Sequence, residues 1–202
     1  MEDDSIWETH DVAYFYDKIL NMLTYRGWMD SDLKQQAKEG FDSDSDSHTL
    51  SVRGPGDIVK VKVVINLSSE GLETSYIDSS MKKEEGTRVI FVYNHDLVSN
   101  PKLKFKNYDK PKDTKNHIEI HSTVSLILDI VDHCWSCLHS IADRSLGIFQ
   151  PGAIWDSRLL PTIYHSDPQV RYIGARFDDI IKIVTEDQIK YRKVVMGYSD
   201  KK

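Results

Sequence analysis

The chain has 202 residues, which is enough to bury a sizeable core in one large domain or two small ones. Its net charge of −6 argues against a free-standing nucleic-acid-binding protein, because such proteins are usually basic. Two cysteines are too few for a disulfide framework, and no apolar run approaches the length of a membrane-spanning helix. The acidic start, Met1 to Asp4, leads us to expect no signal peptide and no membrane association.

The N-terminal segment predicts two helices. The first runs from His10 to Arg26, where Gly27 ends it. Its apolar face is marked by four residues at spacings of three and four: Val12, Phe15, Ile19 and Leu23. A second helix is expected to be capped by Asp30 or Ser31 and to run through Glu39.

An acidic, serine-rich run follows at residues 41–48, and its polarity predicts a solvated loop. Its alternating aspartates resemble the start of a calcium-binding EF-hand loop. That loop needs Gly at its sixth position and a bidentate Glu at its twelfth, and this chain has Ser47 and Arg53 there. We therefore expect no metal site in this run.

The middle of the chain predicts strands. Residues 58–67 alternate valine with lysine, as in a half-buried strand, and a helical turn at 81–85 leads to the next strand. Residues 88–93 are mostly apolar, which indicates a central strand covered on both faces. Residues 118–121 and 126–131 are two further predicted strands.

The C-terminal part is predicted to be compact and rich in β-structure. Asp167 or Ser166 caps a short helix with Pro168 at its first position, where a missing N–H has no cost. Residues 179–184 and 189–195 form a predicted hairpin. A domain boundary is expected between residues 133 and 151.

Four potential zinc ligands crowd together at His133, Cys134, Cys137 and His139. A structural zinc site normally pairs two ligand groups separated by a longer loop, and no second group is present. The CxxC pattern of Cys134 and Cys137 fits a thioredoxin-like redox function better, and buried structural cysteines are the preferred interpretation. The sequence holds no Gly-rich phosphate loop, nucleophile elbow or HExxH motif, so no catalytic residue is predicted.

A basic stretch lies at residues 100–116, with six lysines and two aspartates and therefore a local charge of +4. Lysines interleaved with aromatic residues can contact phosphates and stack on bases. Taken alone, the stretch is more often a solvated loop.

The segment from Leu160 to Gly174 reads LPTIYHSDPQVRYIG and resembles the LPxIxxxDPVxRYxG motif of the fifth shared subunit of eukaryotic-type RNA polymerases. A small subunit of archaeal polymerases, which consists of this domain alone, carries the same motif. Downstream, residues 180–184 are similar to the family's VVKII strand, and Tyr191-Arg192 to its closing YR. Weaker similarity extends upstream to residues 23–28.

This resemblance implies the architecture of the family, an α+β or α/β fold in two domains. An N-terminal jaw domain with a mixed sheet and flanking helices would span residues 1–133. A small β-rich assembly domain would span residues 134–202. Six motif residues would build the fold and the subunit interface of the assembly domain: Pro161, Asp167, Pro168, Arg171, Tyr172 and Gly174. Arg171 is either an interfacial donor or part of an internal ion pair.

The resemblance also implies a non-catalytic polymerase subunit. The assembly domain would dock on the largest subunit, among other polymerase subunits and transcription factors. The two largest subunits would add nucleotides with magnesium, so no cofactor is expected in this chain. The jaw would lie beside downstream double-stranded DNA and contact only its backbone, through four candidates: Ser99, Asn100, Lys102 and Lys104.

Departures from the family pattern, at residues 175–179 and in the shortened hairpin loop at 185–191, indicate a divergent copy. They favour a large DNA virus, with the protein in the viral factory of the host cytoplasm and in the virion, over a cellular polymerase in the nucleus. Two other function classes remain open: a thioredoxin-like redox protein, and a free module that binds transcription regulators.

Overall fold

The computed structural model describes residues 11–43, 45, 47–53, 58–68, 75–76, 79, 87–94, 118–127, 130 and 137–196. The chain divides into two compact units, residues 1–128 and 129–202. The boundary after residue 133 and the jaw and assembly roles of the two domains stay predictions. None of the helices in the described ranges is long and apolar enough to span a membrane.

Two helices open the N-terminal unit, and both confirm their predictions. Helix α1 spans Val12–Tyr25 and helix α2 spans Ser31–Glu39. Asp30 caps α2, because its side chain accepts a hydrogen bond from the Leu33 amide at 2.8 Å. Gly27 follows α1 with φ of 71°, a left-handed conformation that glycine adopts without steric cost.

The N-terminal sheet has four strands in the order β1-β2-β3-β4: Ser47–Arg53, Ile58–Asn66, Thr87–Tyr93 and Ile118–Ser122. Strands β1 and β2 are antiparallel, whereas β3 runs parallel to both β2 and β4. The prediction of a central strand covered on both faces is confirmed for β3, in which Val89, Ile90, Phe91 and Val92 are all buried.

Two sequence predictions in this unit are wrong. The acidic run was expected to be solvated as far as His48, but β1 begins at Ser47. Phe41 stacks on Tyr16 at 4.6 Å between ring centroids, and His48 packs against both rings. Aromatic packing therefore draws both ends of the run onto α1, despite the acidic residues between them.

The second error concerns the apolar run after β4. The strand predicted at 126–131 is wrong for residues 126–127, because Thr123–Ile127 forms a short helix, α3, directly after β4. A short apolar run does not distinguish a buried strand from a buried helical turn. The helical turn predicted at 81–85 lies outside the described residues.

The C-terminal unit contains a second four-stranded sheet in the order β5-β7-β8-β6, with strands Leu138–Ile141, Thr162–Tyr164, Ile180–Val184 and Ile189–Val195 in chain order. The predicted hairpin is confirmed as antiparallel β7 and β8. Strand β6 pairs in parallel with β8, and helix α4 at Pro168–Tyr172 separates β6 from β7. Two mixed sheets with a few helices make the fold α+β, as expected.

Candidate protein-binding surface of the C-terminal unit

The motif residues around α4 stabilise the local fold. The Asp167 carboxylate accepts hydrogen bonds from the Gln169 amide at 2.9 Å and the Val170 amide at 3.3 Å. Pro168 occupies the first helical turn and, like Pro161, is exposed. Asp167 therefore caps a helix too short to begin without such a partner.

The end of the motif sets a turn. Tyr172 is buried, and Gly174 follows with φ of 69°. The Ala175 amide then donates to the Val170 carbonyl at 3.1 Å, which closes the helix end. Arg171 is half-buried in the last turn of α4, and both of its predicted roles remain open.

A cluster of charges fixes the turn before β7. The Asp178 carboxylate lies 2.7 Å from Lys193 Nζ and 3.0 Å from an Arg144 guanidinium nitrogen. The hydrogen bond from Lys193, followed by that from Arg144, lowers the pKa of Asp178. The φ of 77° at Asp178 is a left-handed conformation at a non-glycine residue, which these contacts help to hold.

Exposed apolar side chains are concentrated in this unit. Among the described residues, ten large hydrophobic side chains are exposed, and nine of them lie between residues 138 and 189. Those nine are Leu138, Ile141, Leu146, Ile148, Ile154, Leu159, Tyr164, Phe177 and Ile189. A concentration of this kind is typical of a surface that a partner protein covers.

One group of aliphatic side chains forms a row across the sheet. Strand register places Leu138 opposite Val184, and Val184 opposite Ile189, so the three aliphatic side chains share one face. Leu138 and Ile189 are 56% and 46% exposed. We call these three residues the aliphatic row.

A second group lies on a loop that is braced by hydrogen bonds to a buried carboxylate. Asp156 is 4% exposed and accepts hydrogen bonds from the Gly152 amide, the Arg158 amide and the Arg158 guanidinium at 2.7 to 3.0 Å. The hydrogen bond from the Arg158 guanidinium has the largest effect on this carboxylate. Together with the two backbone hydrogen bonds, it holds the pKa of Asp156 well below its usual range. Ile154 and Leu159, on either side of the brace, are 89% and 81% exposed. The brace thus presents two apolar side chains on an ordered loop.

The remaining candidate residues are the predicted DNA contacts and the cluster of histidines and cysteines. The four DNA-contact candidates, together with His133 and Cys134, lie outside the described residues. His139 is buried, and its Nδ1 lies 2.7 Å from the Cys137 carbonyl oxygen. No group of three or more potential metal ligands occurs within the described ranges.

Sequence reasoning missed the aliphatic row and the braced loop. The row depends on strand register, and β5 was not predicted. A D-x-R pattern at Asp156 and Arg158 was the available signal for the loop, but such spacing is common and specifies little without the fold.

The fold and this surface define the class: a two-unit α+β protein whose small mixed-sheet C-terminal unit exposes an apolar surface. Residues 155–196, 42 of the 202, match the family model described as RNA polymerase Rpb5, C-terminal domain. This match confirms the resemblance seen in the motif, to the fifth shared subunit of RNA polymerases. No curated protein matches the chain at a significant level. Neither the match nor the geometry favours the redox protein or the free interaction module.

Proposed function

We propose that this protein is a non-catalytic subunit of a multisubunit DNA-directed RNA polymerase and that its C-terminal unit docks on the largest subunit. The observation that carries the proposal is the family match over residues 155–196. The matched family consists of non-catalytic polymerase subunits, and this accords with the absence of a catalytic motif from the sequence. In this proposal the two largest subunits add nucleotides, with magnesium.

The exposed apolar surface supports the docking step. Burying apolar area contributes about 25 cal/mol per Å². Side chains as exposed as Ile154 and Leu159 therefore supply much of their stabilisation only when a partner covers them. The Asp156 brace fixes the loop before binding, which lowers the entropy lost on association.

The N-terminal unit is proposed to act as a jaw beside downstream duplex DNA. Ser99, Asn100, Lys102 and Lys104 remain the candidate backbone contacts, on the strength of the resemblance. Changing Lys102 and Lys104 to Glu is expected to weaken crosslinking of the polymerase to downstream DNA and to leave subunit assembly intact. An unchanged crosslink would remove this stretch from the DNA contacts. A viral source, with transcription in the host cytoplasm, also remains a proposal.

Affinity purification from the native cells or infected host tests the docking step. The tagged chain is expected to recover the largest polymerase subunit. An Ile154→Asp, Leu159→Asp variant is expected to lose most of that recovery, because two charges would enter an apolar contact. The matched control is Ile58→Asp, since Ile58 is 78% exposed in the N-terminal unit.

The possible outcomes separate the parts of the proposal. Recovery of no polymerase subunit by the unaltered chain would contradict the assignment. Recovery that falls equally with Ile58→Asp would contradict docking through the C-terminal unit.

A further inference from the structure

Strand β1 lies at one edge of the N-terminal sheet, so one side of its backbone points away from β2. The hydrogen bond from the Arg53 amide to the Trp28 carbonyl, at 2.8 Å, identifies that outer side, because Trp28 precedes the sheet. Backbone groups alternate in direction along a strand. The N–H and C=O groups of Ser47, Thr49 and Ser51 therefore point outward as well.

Both ends of this outer edge are occupied, whereas its middle is open. At one end the Arg53 amide has its carbonyl partner, and at the other the Ser45 hydroxyl donates to the Ser47 carbonyl at 2.9 Å. Between them, the outward backbone groups of Thr49 and Ser51 have no partner within the described ranges. An open strand edge of this kind is a template for pairing with another strand.

A second copy of β1 fits this edge in an antiparallel register centred on Leu50. Thr49 of each copy would lie opposite Ser51 of the other, and each such pair would exchange two backbone hydrogen bonds. Leu50 would lie opposite its own counterpart as a non-hydrogen-bonded pair, in which side chains approach most closely. Because Leu50 is half-buried, this pairing would cover an aliphatic side chain in each copy.

The strand is also self-complementary in charge. Its C-terminal end has the exposed Arg53, and residues 42–46, just before its N-terminal end, contain three aspartates. Antiparallel pairing would bring Arg53 of each copy beside Ser47 of the other, next to that acidic run. Opposite charges would therefore meet at both ends of the paired strands, whereas a parallel pairing would bring like charges together.

We propose that two copies of this chain pair through the edges of their β1 strands, in a two-fold antiparallel arrangement centred on Leu50. One arrangement matches the backbone groups, the apolar contact and the charges, which favours a second copy over an unrelated strand. A single strand pairing buries less than the roughly 1,200 Å² of a stable interface, so the dimer is expected to be weak and to depend on concentration. The pairing does not depend on the polymerase assignment.

Sedimentation velocity of the full chain over a concentration series tests the association. We expect a monomer at low concentration and a dimer at high concentration. Ser51→Pro removes an outward N–H that the pairing of β1 with β2 does not use. The fold is therefore expected to persist, as circular dichroism would show, while the dimer is lost.

Charge reversal tests whether the acidic partner of Arg53 belongs to this chain. Arg53→Glu should weaken the dimer by about tenfold, because both ends of the pairing change from attraction to repulsion. Adding Asp44→Lys and Asp46→Lys should restore association, since the polarity of both ends is then reversed together. The matched control is Lys190→Glu, the same charge change at an exposed residue of the C-terminal unit, which should leave the dimer unchanged.

Disulfide trapping tests the register. In a chain with Cys134 and Cys137 replaced by Ser, Leu50→Cys should form a disulfide-linked dimer under mild oxidation. The reason is that Cα atoms of a non-hydrogen-bonded pair lie about 4.5 Å apart, which a disulfide can span. Ser51→Cys is the control, because this residue is more exposed but would lie opposite Thr49 rather than opposite its own counterpart.

The proposal is overturned if the chain remains a monomer throughout the series or if Ser51→Pro leaves the dimer intact. Loss of the dimer through Ile154→Asp with Leu159→Asp would assign the association to the C-terminal unit and would also overturn it. Failure of the aspartate changes to restore the Arg53→Glu variant would reject a second copy as the occupant. More efficient trapping at position 51 than at position 50 would contradict the register.

Discussion

The two units differ in where they leave their apolar and charged groups. In the described part of the N-terminal unit, Ile58 is the one exposed large hydrophobic residue, and an arginine–carboxylate pair is buried. The described part of the C-terminal unit has nine exposed large hydrophobic residues, while its Arg144–Asp178 pair is nearly half exposed. Among the described residues, exposed apolar side chains are therefore concentrated in the C-terminal unit, where we propose that a partner protein covers them.

The buried pair joins α1 to the far strand of the N-terminal sheet. The Arg26 guanidinium donates two hydrogen bonds to the Glu119 carboxylate, at 3.0 and 2.7 Å, and its side chain is 1% exposed. His121 lies 3.5 Å from the same carboxylate. This arrangement holds the end of α1 against β4.

The largest expected effect comes from breaking this pair. Glu119→Leu leaves the Arg26 charge buried without its carboxylate, and should lower the free energy of unfolding by about 3–5 kcal/mol. Urea unfolding followed by circular dichroism measures it. Arg26→Met combined with Glu119→Leu should recover most of the loss, because a buried pair can be replaced by apolar groups.

The matched comparison is the exposed pair of the other unit. Arg144→Ala should change the free energy of unfolding by about 1 kcal/mol or less, since solvent screens an ion pair of this exposure. Equal losses of unfolding free energy from Glu119→Leu and Arg144→Ala would contradict the difference between the buried ion pair of one unit and the exposed ion pair of the other.

Replacing the left-handed glycine that follows a helix is expected to lower stability by a smaller amount, and by the same amount in both units. Gly27 and Gly174 follow helices with φ of 71° and 69°, and no atom of the described residues lies within 4 Å of a Cβ added at Gly27. Alanine in this conformation costs about 1–2 kcal/mol, so Gly27→Ala and Gly174→Ala should each lower stability by that amount. Thermal unfolding of each variant is the measurement, and an unchanged midpoint for either would show that its turn accommodates alanine.

The smallest effect concerns the Asp156 brace and is local. The pKa of Asp156 is lowered in the folded protein, so its stabilising contribution is present above the unfolded pKa of about 3.9. That contribution is lost only as pH falls through the lower folded value. Amide exchange at Gly152 and Arg158, corrected for intrinsic rates, should remain protected from neutral pH to about pH 4. Asp156→Asn should reduce that protection throughout, and loss of protection near pH 4 in the unaltered chain would contradict the brace.

Local sequence signals predicted the elements whose causes are local. Caps at Asp30 and Asp167, the left-handed glycine at position 27 and the alternation in β2 each depend on neighbouring residues, and the structure has them as expected. The central position of β3 followed from its apolar composition. The family motif similarly identified the C-terminal domain.

What the sequence did not predict depends on distant contacts. Strand β1 begins inside an acidic run because His48 packs on Tyr16, 32 positions away in the chain. Strands β5 and β6 are four and three residues long and owe their conformation to pairing with the hairpin. The aliphatic row exists only in the register of paired strands, which composition and periodicity do not specify.

The most direct test of the central claim is native mass spectrometry of the polymerase purified through a tag on its largest subunit. The account predicts one copy of this chain per largest subunit, and its loss from the complex when Ile154 and Leu159 are both changed to Asp. A polymerase that lacks the chain, with the chain recovered as a free monomer from the same cells, would contradict the account.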